Sequence, residues 1–220
     1  MPVLVTLAQI TKLAPGARSG YCGAFSAGQE VLERFAIAES KLRVAHFIAQ
    51  LMHESGALTR EYENLNYSAR RLVQVWPWRF KPHGPLDPED YAHDARKLAN
   101  EVYGGRMGNT APQDGYLYRG RGLLQLTGKG NYAAATSRVG RCVPDCPDFA
   151  AQPDAVLAPE WCLAVAAGEW ASRGCNELAD ADDLEQVTRR INGGTTGFVE
   201  RQEWLRQAKL AWNLAPLVRF

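Results

Sequence analysis

The chain has 220 residues, enough for one large domain or two small ones. Its 25 Lys and Arg residues against 24 Asp and Glu give a formal net charge of +1, which argues against nucleic-acid binding driven by bulk charge. Apolar residues make up 46% of the chain, enough for a substantial core, yet no apolar run reaches the roughly 18 residues of a membrane-spanning helix.

Helical periodicity recurs along most of the chain and predicts six helices. They cover residues 27–35, 41–54, 88–102, 159–173, 183–191 and 198–213. Proline and glycine residues separate these segments. The best candidate for strand or turn-rich structure is 117–127. The residues therefore predict a mainly α fold with minor β or extended content.

The predicted helix at 41–54 is apolar around most of its circumference, and its polar side chains occupy one sector of roughly a third. They are Arg43, His46, Gln50, His53 and Glu54. Because buried polar groups need partners, this sector is expected to face water or a cleft.

Glu54 is expected to lie in the last turn of this helix, because Gly56 predicts a left-handed stop just after it. The negative end of the helix dipole favours the protonated carboxyl, which is the form that a general acid needs. A solvated glutamate at a helix end is the alternative that this helix alone leaves open.

A second carboxylate, Glu63, follows beyond the break at Gly56 and so cannot share a helix face with Glu54. A chain that turns back could hold the two carboxylates opposite each other. Glycoside hydrolysis uses such a pair, since one carboxyl protonates the leaving oxygen and the other activates water. Glutamates are common, so this spacing by itself is weak evidence.

The cysteines and histidines predict no metal site and no cofactor. The odd number of cysteines favours free, mostly buried thiols over a disulfide framework, although Cys142 and Cys146 could pair in an oxidising compartment. The five are Cys22, Cys142, Cys146, Cys162 and Cys175. A zinc protease motif HExxH would need a second histidine where Ala57 stands.

Three motifs follow one another along the chain. The first is HESG at 53–56 with ENLNYSA at 63–69, the second is YRGRGLLQLTGKGNY at 118–132, and the third is TRRINGG at 188–194, followed by GFVER at 197–201. Together they resemble glycoside hydrolase family 19, which contains the class I chitinases and related phage endolysins. The short gap between the two glutamates resembles the phage and bacterial lysozyme-like branch.

The resemblance implies a lysozyme-like (α+β) fold with a helical core and a cleft, as one catalytic domain over 1–220 with a smaller helical lobe at about 70–115. It also implies single-displacement hydrolysis with inversion and without a cofactor. Carried over position by position, Glu54 is the general acid, Glu63 is the general base, and Thr127 helps to hold the attacking water.

Other motif positions imply contacts with the substrate. These are Tyr67, Gln125, Asn131, Asn192 and Arg201, the last of which matches an arginine that supports the catalytic carboxylates. If 121–127 is extended, Gln125 and Thr127 share a face with Arg121 and Leu123, while Leu124 and Leu126 point to the core.

Several of these residues have a plainer interpretation. Asn192 could only cap the helix that it ends, and Arg201 could be a solvated helix residue. Gln125 and Thr127 could be ordinary strand residues. Trp76 and Trp78 could stack on sugar rings, or they could pack a loop against the core.

The expected substrate is peptidoglycan, cut at β-1,4 bonds between N-acetylated amino sugars. The chain contains no cysteine-rich chitin-binding module, and its glutamate spacing resembles the endolysin branch. A chitinase is the alternative of the same class, and a non-catalytic wall-binding module is the alternative of another class. Intact Glu54, Glu63 and Thr127 argue against the latter.

An endolysin of this kind is expected to act as a monomer on glycan strands, without nucleic-acid partners or stable membrane insertion. The N-terminal sequence has no basic leader, which predicts accumulation in the host cytoplasm until a holin opens the inner membrane and gives access to the cell wall and periplasm.

The C-terminal segment from Phe198 to Phe220 predicts a basic helix that carries tryptophans. Residues from Arg189 onward carry a local net charge of +4, so the helix could attach to anionic lipid. We favour the alternative, in which Trp204 and Trp212 complete the core.

Overall fold

The computed structural model describes residues 1–214 and is mainly helical. Twelve α-helices occur in this range: α1 (Leu7–Leu13), α2 (Ser19–Ala27), α3 (Gln29–Arg34), α4 (Lys41–Glu54), α5 (Ala69–Val75), α6 (Ala95–Tyr103), α7 (Asp114–Leu117), α8 (Lys129–Gly140), α9 (Cys162–Ser172), α10 (Cys175–Asp180), α11 (Leu184–Asn192) and α12 (Phe198–Ala211). Short 3₁₀ turns lie at Ile37–Glu39, Pro88–Asp90 and Pro153–Leu157. None of these helices is long and apolar enough to cross a membrane.

The chain forms two compact units. The larger unit contains Met1–Glu61, Arg121–Gln125 and residues 133–214, and the smaller contains Tyr62–Gly120 and Leu126–Tyr132. The lobe expected at about 70–115 falls within the smaller unit.

Helix α4 lies in the core of the larger unit. Residues 44–52 are all buried, and the helix packs mainly against α12. Ser40 accepts a hydrogen bond from the Arg43 backbone N–H, which satisfies one of the free donors at the start of α4. The predicted bounds of 41–54 are confirmed.

The C-terminal helix α12 completes the core, as the sequence favoured. Leu205, Ala208 and Trp212 are 6%, 1% and 3% exposed, and the Trp212 indole N–H donates to the Leu4 carbonyl at 2.9 Å. Trp204 is half-buried and packs against the same core. The part of the expected lipid-binding segment at 215–220 lies outside the described residues.

Ending the chain after Arg201 should unfold the protein. This truncation removes the buried Leu205, Ala208 and Trp212, and losing a large core side chain costs about 2–5 kcal/mol out of a total stability of about 5–15 kcal/mol. Far-UV circular dichroism during heating measures the effect, with a chain lacking only Pro216 to Phe220 as the control. A cooperative transition in the shorter chain would contradict the packing described for α12.

The smaller unit has its own apolar core. Its buried residues are Leu65, Leu72, Phe80, Leu98, Ala99 and Val102. Trp76 is half-buried against this core and meets the Tyr67 ring edge-on at a centroid distance of 5.3 Å, so it packs the loop. Trp78 is 79% exposed and lies 5.5 Å from the His83 ring.

Several predicted segments differ from the structure, among them the helix expected at 159–173, which begins only at Cys162. The helix expected at 27–35 begins only at Gln29, because Gly28 separates it from α2. The helix expected at 88–102 is divided, because His93 has a positive φ of 58° before α6 starts.

The segment 117–127 was predicted to be either a strand or turn-rich, and the structure is turn-rich there. Gly122 and Gln125 have φ values of +76° and +52°, which interrupt an extended backbone. Arg121 and Leu123 were expected on the same face as Gln125 and Thr127, but both are buried, with exposures of 3% and 1%. The Arg121 Nε donates to Asp154 at 2.8 Å.

All five cysteines are free thiols, and the candidate pair Cys142 and Cys146 is half-buried and not joined by a disulfide. Cys162 and Cys175 are buried in the larger unit. Burial raises the pKa of each of these two thiols to about 12, so both stay protonated and unreactive near neutral pH.

Candidate active site

Glu54 is the last residue of α4, followed by a turn that holds it in place. Residues 56–58 all have left-handed φ values, between 55° and 61°. This conformation costs about 1 kcal/mol or more at each residue other than glycine. The buried Ser55 stabilises the turn, since its hydroxyl donates to the Leu51 carbonyl at 2.6 Å and accepts from the Leu58 N–H at 2.9 Å.

The Glu54 carboxylate is held by a buried arginine. Arg201 on α12 donates from Nη2 to Glu54 Oε1 and from Nη1 to Gln50 Oε1, and its Nε donates to the Thr196 carbonyl at 3.3 Å. The Arg201 side chain is 1% exposed, against 19% for that of Glu54. Within residues 1–214, Glu54 Oε2 has no hydrogen-bond partner.

Two sequence interpretations are corrected by this arrangement. Arg201 is not a solvated helix residue, because it is 1% exposed and donates to the Glu54 carboxylate. The alternative of a freely solvated Glu54 is also wrong. The sequence placed Glu54 at the negative end of the helix dipole, and the structure adds the guanidinium of Arg201 beside it.

Gln50 is a residue of the candidate site that the motifs did not identify. It is fully buried one helical turn before Glu54, and its side-chain oxygen fixes the second nitrogen of the Arg201 guanidinium. The sequence does place Gln50 in the polar sector of α4, on the same face as Glu54, because the two residues are four positions apart.

A cavity of about 360 Å³ in the larger unit is lined in part by Glu54 and His53. Burial lowers the pKa of His53 below its ordinary value, and the positive charge of Arg201 lowers it further. The ring is therefore neutral near neutral pH. Gly197 lies so close that a Cβ there would be 2.2 Å from His53 Cε1, so only glycine allows α12 to begin at this point.

In the smaller unit, Glu63 is held by donors on both carboxylate oxygens. The Gly120 N–H donates to Oε1, and the Tyr103 hydroxyl donates to Oε2 at 2.6 Å. The Glu63 backbone N–H in turn donates to the Gly120 carbonyl at 3.0 Å. These hydrogen bonds fix the position of both oxygens of the Glu63 carboxylate.

Tyr103, at the end of α6, is a second residue of the candidate site that lies outside the sequence motifs. Burial raises the pKa of its hydroxyl far above the ordinary value, and the adjacent charge of Glu63 raises it further. The hydroxyl therefore remains a hydrogen-bond donor to Glu63. Its contact with Glu63 spans 40 residues of sequence, and no local pattern around Tyr103 indicates it.

Replacing Tyr103 by Phe should lower kcat about tenfold with a small change in KM, because the variant removes one of the two donors that fix the Glu63 carboxylate. Steady-state kinetics on soluble glycan fragments measures the effect. Tyr91→Phe is the matched control in the same unit, and an equal loss of kcat in the two variants would contradict the positioning role.

The smaller unit also contains three other predicted site residues. Asn131 is exposed and donates from Nδ2 to the Thr127 carbonyl at 2.7 Å, which fixes the backbone that carries Thr127. Thr127 and Tyr67 are both half-buried. This unit therefore contains Glu63, Thr127, Asn131 and Tyr67, whereas Glu54, Arg201, Gln125 and Asn192 belong to the larger one.

Gln125 and Asn192 have different surroundings. The Gln125 amide donates to the Gly122 carbonyl at 2.8 Å within its own turn. Asn192 does not cap α11, because the left-handed Gly193 ends this helix with its N–H donating to the Arg189 carbonyl. The Asn192 side chain is exposed and makes no hydrogen bond with any residue of 1–214.

A known protein of similar sequence aligns with this chain over almost the full length of both. No protein-family model matches the chain. A curated protein of Haemophilus influenzae, described as glycosyl hydrolase family 19 domain-containing, is 38% identical over 215 residues, which are 97% of this chain and 100% of that protein.

Solved structures match over almost the whole chain. Chitinase C from Streptomyces griseus has a TM-score of 0.61 at 19% identity, covering 98% of this chain and 96% of its own. A family 19, class IV chitinase from Zea mays has a TM-score of 0.59 at 16% identity, covering 97% of this chain and 94% of its own. These likenesses show a shared lysozyme-like, mainly helical fold.

Proposed function

The chain belongs to glycoside hydrolase family 19 and is a glycoside hydrolase, and from that premise we propose that it cleaves peptidoglycan. The bonds are β-1,4 linkages between N-acetylated amino sugars, and hydrolysis proceeds with inversion. The observation that carries the proposal is the support of Glu54 by the buried Arg201, together with the support of Glu63 by Tyr103 and Gly120.

Glu54 acts as the general acid. Arg201 and Gln50 fix the carboxyl through Oε1, which leaves Oε2 to carry the proton that passes to the leaving glycosidic oxygen. The carboxyl gives up this proton as the glycosidic bond breaks.

Glu63 acts as the general base. Each carboxylate oxygen has two lone-pair positions, so the bonds from Tyr103 and Gly120 leave capacity to accept a proton from water. The water attacks the anomeric carbon opposite the leaving group, which inverts its configuration. Thr127 helps to hold this water.

Replacing Thr127 by Val should lower kcat about tenfold and leave KM within about twofold, because the shape stays while the water-holding hydroxyl is removed. Kinetics on soluble peptidoglycan fragments provides the measurement. Thr11→Val, an exposed change on α1, is the control. A rise in KM at constant kcat would assign Thr127 to ground-state binding instead.

Peptidoglycan is favoured over chitin by the short segment between Glu54 and Glu63, which resembles the endolysin branch of the family. Chitinase activity is the second candidate, since the Streptomyces griseus and Zea mays neighbours are chitinases. Both polymers contain β-1,4-linked N-acetylglucosamine, so the two activities differ only in tolerance of the lactyl-peptide group.

Mass spectrometry of digested peptidoglycan tests the proposal. Products with a new reducing N-acetylmuramic acid or N-acetylglucosamine end support glycosidase activity and identify the bond cut. Release of chitin oligomers without any new peptidoglycan ends would favour the chitinase.

As an endolysin, the protein would act as a monomer that accumulates in the host cytoplasm until a holin gives it access to the cell wall. Expression in a bacterial host should then cause lysis only when the inner membrane is opened. Lysis without membrane opening would contradict this localisation.

A further inference from the structure

The cavity beside Glu54 carries charges that the proposed mechanism does not use. Arg60 and Glu200 both line it, together with Trp204. Both charged residues are exposed, and neither forms an ion pair with any residue in 1–214. The cavity therefore offers one cation and one anion next to the general acid.

Both charges lie near the same ring. The positive charge of Arg60 lowers the pKa of His53, whereas the negative charge of Glu200 raises it, although burial has the largest effect on this group. Glu54, which also lines the cavity, already has an ionic partner in Arg201. Arg60 and Glu200 are consequently the uncompensated charges of the cavity, and they have opposite signs.

The turn after α4 determines where Arg60 lies. Gly56 has a φ of +58°, and a Cβ there would come within 2.4 Å of Arg60 Nε, so the guanidinium packs directly over this glycine. The Arg60 carbonyl also accepts a hydrogen bond from the Tyr21 hydroxyl at 3.0 Å. The backbone of Arg60 is thus tied to the larger unit while its guanidinium lies at the cavity.

We propose that Arg60 and Glu200 bind the stem peptide of peptidoglycan, with Arg60 contacting a carboxylate and Glu200 an ammonium group. This inference rests on the proposed function and makes the two residues determinants of its substrate class. Peptidoglycan stem peptides carry carboxylates and a free amine, whereas N-acetylglucosamine polymers are uncharged and would leave both residues without an ionic partner. Trp204 supplies an apolar wall beside them.

The test compares two substrates prepared from the same glycan strands, one with intact stem peptides and one from which an amidase has removed them. The ratio of their kcat/KM values measures recognition of the peptide. We expect Arg60→Gln and Glu200→Gln each to lower this ratio about fivefold. Arg206→Gln, an exposed change on α12, is the control.

Binding of a free stem tripeptide, measured by NMR titration, provides a readout that does not depend on cleavage. We expect Arg60→Gln to weaken it about fivefold. An unchanged kcat/KM ratio and unchanged tripeptide binding in both variants would overturn the inference while the enzyme still cleaves peptidoglycan. Failure of the wild-type protein to cleave either strand would instead contradict the proposed function.

Discussion

Replacing Glu54 by Gln should lower kcat about 10²–10⁴-fold while the protein stays folded. Glutamine cannot donate the proton that the leaving oxygen needs, although its side-chain oxygen can still accept a hydrogen bond from Arg201. The buried Arg201 loses its counter-ion and keeps Gln50 and Thr196 as acceptors, so we expect a lower melting temperature with the folded state retained at 25 °C. Steady-state kinetics and thermal unfolding measure the two effects.

The control for this variant is Glu203→Gln, which removes an exposed carboxylate on α12. It should leave kcat within about twofold, as substitutions at exposed positions away from special features usually do. Retention of more than about a tenth of wild-type turnover by folded Glu54→Gln would exclude Glu54 as the general acid.

Replacing Glu63 by Ala should have an effect of similar size, about 10²–10⁴-fold on kcat, because water then lacks its base. The substitution leaves the Tyr103 hydroxyl and the Gly120 N–H without their carboxylate acceptor and opens space beside them. A small anion such as azide can enter this space and attack the anomeric carbon directly.

Azide should therefore restore turnover to Glu63→Ala and yield a glycosyl azide of inverted configuration. Glu89→Ala, an exposed change in the same unit, should keep wild-type activity without azide. A Glu63→Ala protein that remains active without azide, or an azide product of retained configuration, would rule out the assigned role of Glu63.

The sequence predicted those features that depend on local patterns. Helix α4 has its predicted bounds because the apolar periodicity, the Ser40 cap and the Gly56 stop all lie within 17 residues of one another. Helix α12 likewise begins at Phe198, as predicted, and ends at Ala211, two residues before the predicted end. Motif order was sufficient to predict the family, since each motif is itself a continuous segment.

Features set by contacts between distant segments could not be predicted. The bond from Tyr103 to Glu63 spans 40 residues, and that from Arg201 to Gln50 spans 151. The alternation at 121–127 is compatible with a strand, but Gln125 adopts a positive φ. Positive φ is uncommon for residues other than glycine, so the residue type alone does not predict it. Backbone hydrogen bonds from the wider fold determine that turn, as in the bond from the Gly122 N–H to the Glu61 carbonyl.

The most direct test of the inverting acid–base mechanism is the anomeric configuration of the first product, followed by proton NMR before mutarotation. The β-1,4 linkages of soluble peptidoglycan fragments should give the α-anomer first, because water attacks opposite the leaving group. Initial release of the β-anomer would contradict the account, since it would require a covalent intermediate and a nucleophilic role for one of the two glutamates.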